Sequence, residues 1–141
     1  MDKNASAFDG ACHCGGVRFS VELSDGLNSA RRCTCSYCRM RGAIAVSAKL
    51  ADFHLLAGED ILSTYSFNTH EAQHHFCSRC GIYTHHQRRS RPDEYGINAA
   101  CLTGLSPFDF EEVPVLDGQN HPRDNGGRAQ LAGVLRFIRK D

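Results

Sequence analysis

Short segments in which apolar, β-branched and aromatic residues alternate with polar ones recur along this chain. Such alternation is typical of β-strands that bury one face, and it predicts strands at 17–23, 43–47, 61–67, 73–76, 82–86 and 95–99. Glycines and small polar residues separate the segments, as in mostly antiparallel β proteins. No window of a dozen residues has the period of an amphipathic helix, and the segment 131–138 is ambiguous. We therefore expect a mainly β fold of short antiparallel strands.

The length of the chain, 141 residues, suits one domain with an ordinary hydrophobic core. We find no internal repeat, heptad pattern or low-complexity tract. The stretch 117–130 is polar and rich in turn-forming residues, which is typical of a loop. The sequence thus predicts a single domain over residues 1–141 with a polar loop at 117–130.

The net charge and the hydropathy of the chain argue against two classes of binding partner. Sixteen basic and 16 acidic side chains cancel, which argues against binding through nucleic-acid phosphates or anionic lipid. The first twenty residues hold no apolar stretch typical of a signal peptide, and no segment approaches the roughly 20 apolar residues of a membrane helix. We expect a cytoplasmic protein with neither nucleic acid nor a membrane as its partner.

Seven of the eight cysteines fall into three closely spaced groups. The groups are the pair Cys12 and Cys14, the triplet Cys33, Cys35 and Cys38, and the pair Cys77 and Cys80, with Cys101 standing alone. In a reducing cytosol, thiols at such spacings more often bind metal than form disulfides. Gly15, Gly16 and Gly81 follow the pairs and allow tight turns whose N–H groups point at sulfur.

Zinc prefers four tetrahedral ligands, so the two pairs together would complete one site and the triplet would begin a second. A site with three protein ligands and one open position is typical of catalytic zinc. Two other arrangements remain open. Cys35/Cys38 and Cys77/Cys80 would make a two-knuckle ribbon, or Cys101 or a histidine would close the triplet and leave two structural sites.

Five stretches carry a resemblance to a known family. They read GACHCGGVRFS at 10–20, RCTCSYCR at 32–39, FCSRCG at 76–81, INAACL at 97–102 and LDGQNHP at 116–122. Together they resemble the glutathione-dependent formaldehyde-activating enzyme family, whose fold is the Mss4-like zinc-binding β architecture with zinc knuckles. The resemblance covers residues from about 10 to 122.

The resemblance implies two zinc ions per chain. A structural zinc would be held by Cys12, Cys14, Cys77 and Cys80, and a catalytic zinc by Cys33, Cys35 and Cys38. It also implies a carbon–sulfur lyase activity run in the synthetic direction, in which glutathione and formaldehyde give S-hydroxymethylglutathione. The small-molecule partner would be glutathione or a similar thiol.

Several side chains are candidates for binding that substrate. Arg31, Arg32, Arg39 and Arg41 flank the triplet, where cations would offset thiolate charge and attract a carboxylate-bearing thiol. The residues that we single out for substrate contact are Arg39, Arg41, Asn98 and His121.

Four histidines bracket the second cysteine pair. Alternation along a strand places the neighbours His74 and His75 on opposite faces, and the same holds for His85 and His86, so at most one of each pair faces any site. We expect Cys101 to be a small buried residue. A competing hypothesis for the whole chain is a non-catalytic, zinc-stabilised protein-binding module, because a fold does not fix a function.

Overall fold

The computed structural model describes residues 2–119 and 130–141, which form mainly short strands. The strands are β1 Ala7–Ala11, β2 Arg18–Glu22, β3 Arg32–Cys33, β4 Ala45–Lys49, β5 Phe53–Ala57, β6 Leu62–Tyr65, β7 Gln73–Cys77, β8 Tyr83–Gln87, β9 Glu94–Asn98, β10 Glu112–Leu116 and β11 Leu131–Arg136. The α-helix in these residues is α1 Ser36–Arg41, and short 3-10 helices lie at Gly26–Ser29, Leu50–Asp52, Glu59–Ile61, Ala99–Cys101 and Pro107–Asp109.

The strands form three sheets. Their orders are β1-β2-β5, β11-β10-β3 and β4-β9-β8-β7-β6. Every ladder is antiparallel except the short one between β10 and β3, in which Val115 lies opposite Arg32 and Leu116 opposite Cys33. This parallel ladder brings the segment after β10 alongside the cysteine triplet.

The prediction of a mainly β fold of short antiparallel strands is confirmed, and each of the six expected segments overlaps a strand. The ambiguous segment 131–138 contains β11. The sequence patterns did not indicate β1, β3, β5 or β10. In β10 the alternation is interrupted by Pro114, which is tolerated because β3 pairs only with the two residues that follow it. Of the expected loop 117–130, residues 120–129 lie outside the described part of the chain.

Helix α1 is only six residues long, too short to show the period of an amphipathic helix over a dozen residues. The Sγ atom of Cys35 caps its N-terminus by accepting a hydrogen bond from the Cys38 N–H. Its C-terminus is ended by Gly42, whose φ of 70° is left-handed and favours glycine. The helix therefore forms because a cysteine side chain takes the place of the usual polar cap.

The main core lies between the sheets and contains Phe19, Val46, Ile97 and Val113, all with 0% exposed surface. The Phe19 ring packs on Phe53, with 4.9 Å between the ring centroids. The same ring lies so close to Gly10 that a Cβ there would overlap it. A second, smaller apolar cluster contains Cys12, Val17 and Cys77 and lies under the first metal-ligand group described below.

None of the helices in residues 2–119 and 130–141 has the length and apolar character needed to span a bilayer.

We expect Phe19→Ala to lower the free energy of unfolding of the metal-loaded protein by about 3 to 5 kcal/mol, because a fully buried ring would leave a cavity. Equilibrium urea unfolding, followed by circular dichroism, measures this loss. Phe108→Ala is the matched control, since the Phe108 ring is 45% exposed and should cost far less. Equal losses for the two variants would contradict this description of the core.

Candidate metal centres and the basic pocket

The first metal-ligand group joins two distant turns. Cys12 and Cys14 lie in the β1–β2 connection, and Cys77 and Cys80 lie at the β7–β8 connection. All four sulfur atoms are within 4.8 Å of one another. The Sγ–Sγ distances are 3.6 Å from Cys12 to Cys14 and 3.7 Å from Cys14 to Cys77. A tetrahedron with Zn–S bonds of about 2.3 Å has edges of about 3.8 Å, so this group has the size that zinc requires.

The turns that carry these cysteines need glycine. Gly15 and Gly81 have φ values of 76° and 79°, which side chains rarely adopt. The Gly16 N–H donates to the Cys14 Sγ at 3.4 Å, and the Val17 N–H donates to the Cys12 Sγ at 3.3 Å. The expected glycine turns with N–H groups directed at sulfur are therefore present.

The second group is the triplet Cys33, Cys35 and Cys38, held by β3 and the start of α1. Its three sulfur atoms also lie within 4.8 Å of one another. The Cys35 N–H donates to the Cys33 Sγ at 3.4 Å, and the Cys38 N–H donates to the Cys35 Sγ at 3.2 Å. Within residues 2–119 and 130–141, no Cys, His, Asp or Glu joins this triplet as a fourth ligand.

These positions bear on two of the arrangements left open by cysteine spacing, the ribbon and closure of the triplet by Cys101. The ribbon of Cys35/Cys38 with Cys77/Cys80 is wrong, because the two pairs belong to different groups. Cys101 does not close the triplet. It is buried beside the carbonyl of Tyr83, with its Sγ 3.4 Å from that oxygen, as expected for a small core residue.

Crowding of the three thiols makes their protonation interdependent. Hydrogen bonds from the Cys33 and Cys38 thiols lower the pKa of Cys35 to about 2. The hydrogen bond to Cys35 raises the pKa of Cys33, and the hydrogen bonds to Cys33 and Cys35 raise the pKa of Cys38 far above its usual value. Ionising all three thiols so close together would require a cation to offset their repulsion. The all-sulfur donor set is compatible with zinc at both groups.

The segment after β10 packs directly on the triplet. The Gly118 N–H donates to the Thr34 hydroxyl at 3.0 Å. A Cβ at Gly118 would overlap the Cys33 Sγ and would lie 2.6 Å from the Cys35 nitrogen. Glycine is therefore required at position 118 by this close approach to the metal ligands.

The triplet opens onto a pocket of about 690 Å³. Seven of the 13 arginines of the chain line it, against one acidic residue, Asp117, among the described lining residues. These arginines are Arg31, Arg32, Arg39, Arg41, Arg88, Arg89 and Arg91. A chain with no net charge thus concentrates its cations around three cysteines, and the pocket is suited to anionic ligands.

Arg41 connects the triplet to the wall of the pocket. Its guanidinium lies 3.7 Å from the centre of the Tyr83 ring, and its Nη2 donates to the Cys38 Sγ at 3.5 Å. Its Nη1 lies 2.9 Å from the His74 Nδ1. Burial and the Arg41 charge lower the pKa of His74 to about 4, so this ring is neutral at pH 7.

A family model described as "Glutathione-dependent formaldehyde-activating enzyme" matches residues 7–112. The chain belongs to this family. That match covers most of the chain and all seven clustered cysteines.

Two individual proteins are similar to this chain. A Halomonas elongata protein named "Putative glutathione-dependent formaldehyde-activating enzyme" is 38% identical over an 81-residue alignment that covers 51% of this chain. The chain matches 50% of the length of this curated relative. A crystal structure of a Rhodobacter sphaeroides protein is similar with a TM-score of 0.74 and 55% identity, covering 76% of this chain and 98% of that one.

The structure brings some of the expected substrate-binding residues together and separates others. Arg39 and Arg41 line the pocket beside the triplet. Asn98 does not line it, because its side-chain amide donates to the Tyr83 carbonyl at 2.8 Å and its Oδ1 accepts from the Ala100 N–H at 3.1 Å. Those contacts fix a turn within the fold. His121 lies outside the described residues.

The expected alternation of the histidine pairs is confirmed. His74 and His86 face the pocket and stack on each other, with 5.2 Å between their ring centroids. His75 and His85 stack at 4.6 Å, and His85 also packs on Phe53 in the core. One member of each pair therefore lines the candidate site.

Sequence reasoning missed the arginines that reach the pocket from the β8–β9 connection, namely Arg88, Arg89 and Arg91. The run RRSR at 88–91 was the available signal. It lies 50 or more residues from the triplet in sequence, so only the fold shows that the two meet.

We expect Gly118→Ala to lose the metal at the triplet and to keep the metal at the four-cysteine group, because the added methyl group overlaps the Cys33 sulfur. Titration with Co²⁺, followed by thiolate charge-transfer absorption and by metal analysis, measures this. Gly133→Ala is the control, since a Cβ at Gly133 meets no atom within 4 Å. Full metal content in Gly118→Ala would show that this close approach is not needed.

We expect Cys77→Ser to remove metal from the four-cysteine group and to unfold the chain at lower temperature, because structural zinc supplies on the order of 10 kcal/mol of folding free energy. Metal analysis and differential scanning calorimetry measure both effects. Cys101→Ala is the matched control, a buried cysteine outside both groups. The same metal content and melting temperature in Cys77→Ser and wild type would contradict a structural metal here.

Proposed function

We propose that this protein joins the thiol of glutathione, or of a closely similar molecule, to formaldehyde at the cysteine triplet, with zinc bound at both cysteine groups. One observation carries the proposal: in a chain of this family, three clustered cysteines open onto a pocket lined by seven arginines. Glutathione has two carboxylates and one thiol, which match the two chemical features of that pocket.

The donor sets support two different uses of zinc. Four sulfurs surround the first group and would complete a closed structural site that ties the β1–β2 turn to the β7–β8 turn. The triplet supplies three ligands, from Cys33, Cys35 and Cys38. Zinc held there, with one position open, would lower the pKa of a substrate thiol or polarise the aldehyde oxygen.

The chemical change is an addition. A bond forms between the thiol sulfur and the aldehyde carbon, the carbonyl π-bond breaks, and the proton that leaves the thiol ends on the aldehyde oxygen. No oxidant or reductant is consumed. The reverse reaction cleaves a carbon–sulfur bond, so the activity is formally that of a carbon–sulfur lyase. The same site would cleave a related thiol adduct.

The chain's own residues bind and orient the substrate in this proposal. Arg39 and Arg41 attract its carboxylates, and Arg41 also offsets the charge of the Cys38 sulfur, 3.5 Å from its Nη2. Because arginine can only donate, the His74 Nδ1 accepts from Arg41 and the proton of this neutral ring lies on Nε2. His74 therefore presents a donor at Nε2 and holds Arg41 in place.

We place the reaction in the cytoplasm, because eight free cysteines require a reducing compartment to remain thiols.

We expect the zinc-loaded protein to accelerate exchange between formaldehyde, glutathione and their adduct, in proportion to protein concentration. Exchange NMR measures this rate above the uncatalysed reaction in buffer. Cys35→Ser should reduce the rate to that of buffer, because it removes a ligand of the triplet, whereas Cys101→Ala should retain it. A zinc-loaded wild-type protein that gives no acceleration would overturn the assignment to formaldehyde.

A further inference from the structure

Two buried side-chain nitrogens have no hydrogen-bond partner among the described residues, and both belong to arginines of the pocket. They are the Nη2 of Arg31 and the Nε of Arg41. A buried cation with an unpaired donor has lost its hydrogen bonds to water, and in the folded protein no hydrogen bond replaces them, which lowers stability. Such an arrangement is typical of a site that pairs with a ligand.

Arg31 shares its main acceptor with another cation. The Arg31 Nη1 donates to the Ser47 hydroxyl at 2.8 Å, and the Arg88 Nη1 approaches the same oxygen at 3.5 Å. Two guanidinium groups thus converge on one neutral hydroxyl. Burial and the neighbouring Arg88 charge lower the pKa of Arg31 to about 10, so it remains a cation at pH 7.

Two carboxylates compensate part of this group of cations. Glu94 accepts from the Arg88 Nη1 at 2.8 Å and also lies 3.4 Å from the Arg91 Nη2, and the Asp93 Oδ1 lies 4.0 Å from the Arg91 Nε. The Arg31 side chain donates to the Ser29 carbonyl and the Ser47 hydroxyl, both uncharged. The three arginines Arg31, Arg88 and Arg91 thus face two carboxylates, which leaves an excess of positive charge at the pocket wall.

The position of Arg31 relative to the triplet sets the kind of ligand. Arg31 pairs with Ala45 in a β-bridge just before β3, and Cys33 follows two residues later. Residues two apart in an extended segment share a face and lie about 7 Å apart. One small molecule can thus reach both the triplet and the Arg31 guanidinium.

We propose that Arg31 and Arg88 form a carboxylate-binding subsite of this pocket, which selects thiols that carry a carboxylate several atoms away from the sulfur. The inference rests on the proposed function for the identity of the thiol, but the subsite itself is defined by the two guanidinium groups and Ser47. A neutral small thiol would leave these cations unpaired and would bind weakly.

S-Methylglutathione is a suitable probe, because it keeps both carboxylates and has no reactive thiol. We expect Arg31→Gln and Arg88→Gln to weaken its binding to the zinc-loaded protein about 10- to 100-fold, as measured by isothermal titration calorimetry. Arg136→Gln is the matched control, an exposed arginine paired with Glu112 outside the pocket, and should change the dissociation constant less than about twofold. Equal affinity in wild type and both pocket variants would overturn the subsite.

The diethyl ester of S-methylglutathione identifies the group that is bound. Wild type should bind the ester at least tenfold more weakly than the acid, and Arg31→Gln should show a several-fold smaller difference, because only the carboxylate near Arg39 and Arg41 is still recognised there. If the loss of affinity caused by Arg31→Gln and the loss caused by esterification are fully additive, Arg31 does not contact a carboxylate directly. Circular dichroism and zinc content check that each variant is folded. If Arg31→Gln does not fold, Arg88→Gln is tested in its place, because Glu94 still pairs with Arg91 in that variant.

A further experiment distinguishes failure of the subsite from failure of the proposed function. If neither glutathione nor S-methylglutathione binds wild type, the glutathione assignment fails, and glutarate is titrated instead with detection by NMR. Glutarate shifts that are present in wild type and absent in Arg31→Gln would still support the subsite. Identical shifts, or none in either protein, would overturn it.

Discussion

The approach of several cysteine sulfurs within 4.8 Å of one another is the constraint on which the rest of this structure depends. Thiolates repel each other at such distances, so a bound cation would stabilise the ionised form of either group. The four-cysteine group brings together turns that are 63 residues apart between Cys14 and Cys77. It thereby joins the sheet β1-β2-β5 to the five-stranded sheet. The smaller apolar cluster, which contains Val17, lies next to this group.

The triplet differs from that group in its surroundings more than in its chemistry. The four-cysteine group has its full set of sulfur ligands, whereas the described residues supply three for the triplet, which lies at a pocket. A parallel ladder to β10 places Gly118 directly on the Cys33 sulfur. The pocket then gathers arginines from three parts of the chain, and this local charge does not show in a net charge of zero. The same scaffold therefore combines a four-cysteine group with an arginine-lined pocket at the triplet.

Much of this arrangement follows from local sequence. Alternation identifies the strands that carry His74 and His86, because a period of two is set by the backbone itself. Cysteine spacing identifies the three groups, because a tight turn with glycine can direct two sulfurs at one ion. Local sequence does not show which groups meet in space, and so the two-knuckle ribbon remained open until the fold placed Cys77 beside Cys14. For the same reason, Arg88 was not expected near Arg31, and sequence alone does not show that the Asn98 side chain is held in a turn rather than among the residues that line the pocket.

X-ray absorption at the zinc edge tests the central claim most directly, because it counts sulfur neighbours around the metal in solution. A protein with one closed and one open zinc site should show about 3.5 sulfurs per zinc on average, rising to about 4 when glutathione is added. An average of about 4 before addition, unchanged by glutathione, would show that the protein itself completes both sites and would contradict a substrate-binding triplet.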